Sequence, residues 1–148
     1  MRVVLWAATV AALLQCGCGT NERTTMITHT NGLALNLPPT LVAERRLEGF
    51  LIYPPDGPSR RVPTEAEVTL SGAVLGGPWP ERRTVGKILV SFCVDESDGG
   101  SGGATFTFTS FAPQGQRFVV VQQVTQAEPP ARPDFAVAWR AWEAVVFP

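Results

Sequence analysis

The residue types able to do chemistry in this chain concentrate in one stretch, Asp95-Glu96-Ser97-Asp98-Gly99-Gly100-Ser101-Gly102-Gly103, with a further acid at Glu128. A calcium loop needs oxygen ligands at alternate positions and a bidentate acid at its end. Gly99 takes the fifth place here and no acid closes the run, so no metal site is expected. A phosphate-binding loop needs a lysine and an opening helix after its glycines, and neither follows. Paired carboxylates cleave glycosidic bonds when one is held protonated and the two flank a cleft at a set separation. Acids on a glycine-rich tip are well solvated, which works against the raised pKa of a general acid. The remaining reading is a mobile acidic hairpin tip between two strands, a shape that can reach into another protein's cleft. Glu128 lies at the end of the following strand, in Gln126-Ala127-Glu128-Pro129-Pro130. Whether the two acidic segments share an end of the sheet depends on strand lengths.

Other chemistry is sparse. The single histidine, His29, and three cysteines cannot assemble a zinc site or a histidine-centred triad. His29 is expected exposed or on a strand, and Cys93 as a small core residue. A Cys18–Cys93 disulfide would hang on a floppy tether, a poor anchor for the geometry such a bond requires. Twelve basic against thirteen acidic side chains leave no electrostatic footprint for nucleic acid. Arg60-Arg61 read as a solvated loop rather than an anion site. The expectation is a protein that is not an enzyme, with no catalytic residues, cofactor or metal.

The elements that must position the acids follow from periodicity. Ala104 to Phe111 alternates apolar and polar residues and Phe118 to Val124 is β-branched, so these are two antiparallel strands joined at Pro113-Gln114-Gly115-Gln116. From Pro133 the period changes: Phe135, Ala138, Trp139, Trp142, Val145 and Val146 form one apolar helical stripe. Trp139 and Trp142 either close the core or line a pocket for a small ligand. Earlier, Met26–Thr30 and Leu33–Leu37 make a hairpin about Asn31-Gly32, Leu41–Arg46 is ambiguous between helix and strand, and Gly49–Tyr53 and Ala66–Ser71 are strands. Thr84–Val94 reads as one long strand, central in the sheet, and Trp79 as a plug on the core. The fold class is α+β, an antiparallel sheet of about six to seven strands packed by a C-terminal amphipathic helix.

Residues 1–15 read as a lipoprotein signal peptide: Arg2 is a positive start, Val3–Leu14 an apolar run too short to span a bilayer, and Leu13-Leu14-Gln15-Cys16 a lipobox. Cys16 is the expected lipidation site, with Cys18 as the alternative. Residues 16–25 are the tether and 26–148 a single domain. Neither Gly17 nor Gly19 is the aspartate that retains lipoproteins in the inner membrane, so the expected address is the periplasm, anchored in the inner leaflet of the outer membrane.

Asn31-Gly32-Leu33-x-Leu35-x-Leu37-Pro38, Gly49-Phe50, Arg60-Arg61-x-Pro63-x-Glu65, the Asp98–Gly103 loop and Pro133-Asp134-Phe135-x-x-Ala138-Trp139 together resemble the periplasmic lipoprotein immunity proteins of type VI secretion. Those proteins neutralise a peptidoglycan-cleaving muramidase effector, in a family of effectors that depend on calcium. The resemblance implies inhibition by occlusion of the effector's active-site groove, with Asp95, Glu96, Ser97, Asp98 and Glu128 as the partner-binding residues. The plan of sheet and terminal helix is also similar to PsbP-like and DcrB-like domains. That likeness implies the alternative, an envelope lipoprotein acting as a scaffold or binding module without a toxin partner.

Overall fold

The computed structural model describes residues 23–57, 64–73, 76–99, 103–128 and 131–148. The expectations for the signal peptide, Cys16, Cys18, most of the tether, Arg60-Arg61 and Gly100–Gly102 lie outside the described residues.

Among the described residues nine strands and one helix follow in order: β1 (Thr25–Thr28), β2 (Ala34–Leu37), β3 (Val42–Arg45), β4 (Gly49–Tyr53), β5 (Ala66–Ser71), β6 (Glu81–Val85), β7 (Ile88–Asp98), β8 (Ala104–Gln114), β9 (Arg117–Ala127) and α1 (Ala136–Ala144). β1 and β2 form a separate hairpin, and the other seven make an antiparallel sheet in the order β3-β4-β5-β9-β8-β7-β6. This is the expected α+β class, with the sheet at seven strands.

The alternation in β8 sets the layers. Phe106, Phe108, Ser110 and Ala112 are buried on the face that α1 covers, while Thr105, Thr107 and Phe111 are half-buried on the other. Ala138 and Ala141 of α1 are fully buried, and having only a methyl each they let the helix lie close on β5 and β9. Phe108 is the centre of an aromatic cluster, 5.6 Å from Phe92, 5.1 Å from Phe135 and 5.0 Å from Trp139. Trp139 meets Phe92 edge-on at 5.1 Å and lies under the Arg83 guanidinium at 4.4 Å. Trp142 is buried and donates its indole N–H to Ser110 Oγ at 2.8 Å. Both tryptophans therefore pack the core, and Trp142 also borders an open hollow with Val85, Ile88, Val145 and Phe147.

The helix is anchored by polar side chains rather than by a capping hydroxyl. Asp134 Oδ1 accepts from the Ala136 N–H at 3.0 Å, and Gln123 Oε1, reaching up from β9, accepts from the Ala138 N–H at 2.9 Å. Two of the amides that a helix start leaves open are thus satisfied. The apolar stripe extends past both helix ends. Phe135 sits before the helix at φ 52, and Val145 has left it to bridge Leu35, with the Val146 N–H on Ala34 O at 2.9 Å. The chain end thereby ties the β1–β2 hairpin to the body.

Two expectations are corrected here and one left open is resolved. Thr84–Val94 is not one central strand: Gly86-Lys87 make a two-residue turn, with Gly86 at φ 58, and split it into β6 and β7. Such turns need positive φ, which Gly supplies without steric cost. β7 is next to the edge, and β9 is central. Second, Leu41–Arg46 resolves as strand β3, because it pairs residue for residue with β4. Third, His29 is neither exposed nor on a strand. It is buried in the turn after β1, where Nδ1 accepts from the Asn31 N–H at 3.3 Å and Nε2 donates to Arg46 O at 2.9 Å. Its ring meets Phe50 edge-on at 5.5 Å, so it clamps the first hairpin to the β3–β4 turn.

Candidate functional site

Asp95, Glu96, Ser97 and Asp98 are not on a loop. They are the last four residues of the eleven-residue strand β7, paired with Thr107, Phe106, Thr105 and Ala104. Asp and Ser are poor strand formers, but propensity yields when a neighbouring strand offers a good ladder, and Ala104–Thr107 of β8 offers one. Only residues 99–103 remain as connection, closed by the Gly99 N–H on Gly103 O at 2.9 Å. The four side chains are exposed and alternate between faces.

Asp95 and Ser97 point away from α1. Asp95 shares a shallow hollow with Cys93, Thr109 and Trp79, and Ser97 Oγ donates to Thr105 O at 3.4 Å. Glu96 and Asp98 lie on the α1 face. There Glu96 borders a second hollow with Glu81, Val94, Phe106, Arg132 and Phe135.

The register decides what the sequence left open. Ala104 pairs with Asp98 on one side and Ala127 on the other. Glu128, exposed, follows Ala127 directly, so all five candidate residues stand at one end of the sheet. The same end receives the start of β5 at Ala66, opposite Gln123. Chemically the arrangement presents exposed carboxylates and a hydroxyl over an apolar floor. Among the described residues no group of three or more His, Cys, Asp or Glu is placed to hold a metal ion.

Glu81 and the apolar floor escaped the sequence reading. With β6 and β7 taken as one strand, the pairing Glu81↔Phe92 that brings Glu81 towards Glu96 could not be seen. The Val-Gly-Lys-Ile turn at 85–88 was the available signal.

Trp79 packs edge-on against Phe111 at 4.8 Å, so it is a plug, but on the face away from α1. Cys93 lies on that face too, half-buried with a free thiol, and is not part of the helix-side core. Burial pushes its pKa up, and the Asp95 charge, a weak 3.9 Å hydrogen bond to Asp95 Oδ2 and the Glu81 charge push it further. A raised pKa means less thiolate at a given pH and slower alkylation. Asp95→Asn is therefore expected to speed iodoacetamide labelling of Cys93 and move the midpoint of its pH–rate profile down. Peptide mapping separates Cys93 from Cys16 and Cys18, and an unchanged profile would refute the coupling.

The described residues thus form an antiparallel sheet backed by one helix, with acids gathered at one end. Residues 34–146 match the type six secretion immunity 3 domain, and the chain belongs to that family. It is 32% identical over 144 residues, 97% of either chain, to the immune protein Tsi3 of Pseudomonas aeruginosa strain PAO1. Membership makes the chain a type VI secretion immunity protein, an inhibitor with a cognate effector as its partner.

Proposed function

We propose that this immunity protein acts in the periplasm, held by a lipid on Cys16 to the inner leaflet of the outer membrane, and blocks the active-site groove of a peptidoglycan-cleaving muramidase. Asp95, Glu96, Ser97, Asp98 and Glu128 are its contacts. The observation that carries the assignment is the register Asp98↔Ala104↔Ala127, which gathers residues from two separate segments at one sheet end. A constellation fixed on strands loses less conformational freedom on binding than one on a loose loop, and its carboxylates complement a groove rich in cations or hydrogen-bond donors. A sheet with a terminal helix also fits the PsbP-like plan.

The test mixes the domain, truncated after Cys18, with the product of the neighbouring effector gene and follows complex formation together with cell-wall hydrolysis. Stoichiometric loss of hydrolysis is expected. Asp98→Ala with Glu128→Ala is expected to weaken the complex at least tenfold, since losing one partner of a buried interfacial charge pair costs about 2–5 kcal/mol. A double variant that inhibits like the wild type would overturn the contact assignment. Absence of any complex would favour an envelope module without a toxin partner.

A further inference from the structure

The hydrogen-bond parity of β7 is fixed from both ends. The Gly99–Gly103 bond makes that pair a hydrogen-bonded one. In an antiparallel ladder bonded and non-bonded pairs alternate, so along the register Ser97↔Thr105, Asp95↔Thr107 and Cys93↔Thr109 the odd residues turn their main chain towards β8. The even residues turn theirs the other way. The far end agrees: the two-residue turn makes Val85↔Ile88 a bonded pair, and β6 takes the even residues of β7 as far as Phe92, opposite Glu81. There β6 stops. Trp79, which would pair with Val94 next, swings instead onto Phe111. Among the described residues no strand continues the line of β6. The N–H and C=O groups of Val94 and Glu96 therefore face, among the described residues, an edge with no paired strand, at strand spacing.

Resting on the reading of this chain as an effector inhibitor, we propose that this edge takes up an extended, cationic segment of the cognate effector as an additional strand, in line with β6 and paired with Val94 and Glu96. Strand addition draws affinity from main-chain bonds and specificity from pockets that receive alternate side chains. Both are in place. One set of partner side chains would enter the hollow bordered by Glu81, Glu96, Val94, Phe135 and Arg132, where two carboxylates outnumber one guanidinium, and the other set the hollow holding Asp95 and Trp79. An apolar floor with carboxylates at the rim fits Lys or Arg side chains, whose aliphatic stems pack while their heads reach the acids. A second copy of this chain is disfavoured, because two such edges would set Asp95 and Glu96 against their own kind. Charged edges protect sheets from self-pairing in this way.

Two variants separate main chain from charge. Glu96→Thr removes the carboxylate but keeps the N–H; Glu96→Pro removes both and blocks the edge. Because the β7–β8 ladder runs through the odd residues, a proline whose missing N–H faces outward is tolerated, which thermal unfolding checks. Glu96→Thr is expected to weaken the complex with the effector a few-fold, and Glu96→Pro at least tenfold beyond that. In amide exchange read residue by residue on the wild type, the odd amides of β7 are protected throughout, and those of Val94 and Glu96 gain protection only in the complex.

Equal affinity of the Pro and Thr variants, or amides at 94 and 96 that still exchange in a complex that has formed, would overturn the edge pairing and leave the inhibitor reading standing. If the wild type forms no complex and leaves hydrolysis untouched, the inhibitor reading falls and the edge proposal with it. A proline variant that does not fold passes the decision to wild-type exchange.

Discussion

Replacing Trp142 with Ala is expected to destabilise the domain by about 4 kcal/mol, within the usual range for truncating a buried aromatic residue. The side chain is only 2% exposed. Its indole N–H donates to Ser110 Oγ, and that hydroxyl donates in turn to Val121 O at 2.9 Å. One side chain on α1 is thus coupled to β8 and, through a single hydroxyl, to the central strand. Phe147 lies nearly parallel to it at 6.4 Å, so the deletion also loosens the chain end that holds β2. Trp142→Phe keeps most of the apolar volume and gives up the hydrogen bond, and is expected to cost about 1–2 kcal/mol. Urea denaturation distinguishes the two, with midpoints falling in the order wild type, Phe, Ala at unchanged slope. A loss below about 1 kcal/mol for the Ala variant would show that helix and sheet are held by other contacts.

Gly49→Ala is expected to lower stability by about 3 kcal/mol, although it adds a single methyl. A Cβ at this position would lie 1.9 Å from the carbonyl oxygen of Val68 and 3.0 Å from the Thr69 Cα. Neither is a side chain that can rotate away. Both belong to β5, which is itself bonded to β9, so relief requires β4 and β5 to part. The phenotype should be local: faster amide exchange across β3 and β4 while β7 to β9 stay protected. Gly72→Ala is the control, because a Cβ there meets nothing within 4 Å and its φ is not positive. A Gly49 variant as stable as the control would mean that the two strands are free to separate.

Much of the architecture was legible because its signals are local. The alternation in Ala104–Phe111, the β-branched run after Phe118 and the Asn31-Gly32 turn, with Gly32 at φ 94, are each properties of a few neighbouring residues. The errors share the opposite character. Asp95–Asp98 reads as loop on composition, and becomes strand only because β8 lies beside it. Gly86-Lys87 interrupts an apolar run too briefly to break a pattern, so a hairpin passed for one strand. The stripe from Phe135 to Val146 has helical spacing throughout, yet its last residues are recruited by β2. The burial of His29 depends on Arg46, seventeen positions away. At the site, the identity of the acids was visible but their division between two faces was not, since that follows from register.

The place of β9 in the sheet bears on how the molecule comes to exist. Its neighbour β5 meets it along Ala66↔Gln123 to Ser71↔Phe118, so the front half of the sheet cannot join the back until nearly the whole polypeptide has been made. Until then β1 to β5 have only their hairpin pairings and the His29 clamp between them, and closing the large intervening loop carries an entropic cost that these short strands do not offset alone. Assembly is expected to begin with the β7–β8–β9 meander, whose contacts are sequential, and to end when β5 docks on it. A ribosome-bound chain stopped before residue 117 should therefore remain open to proteases, and maturation becomes a single late event rather than a progressive one.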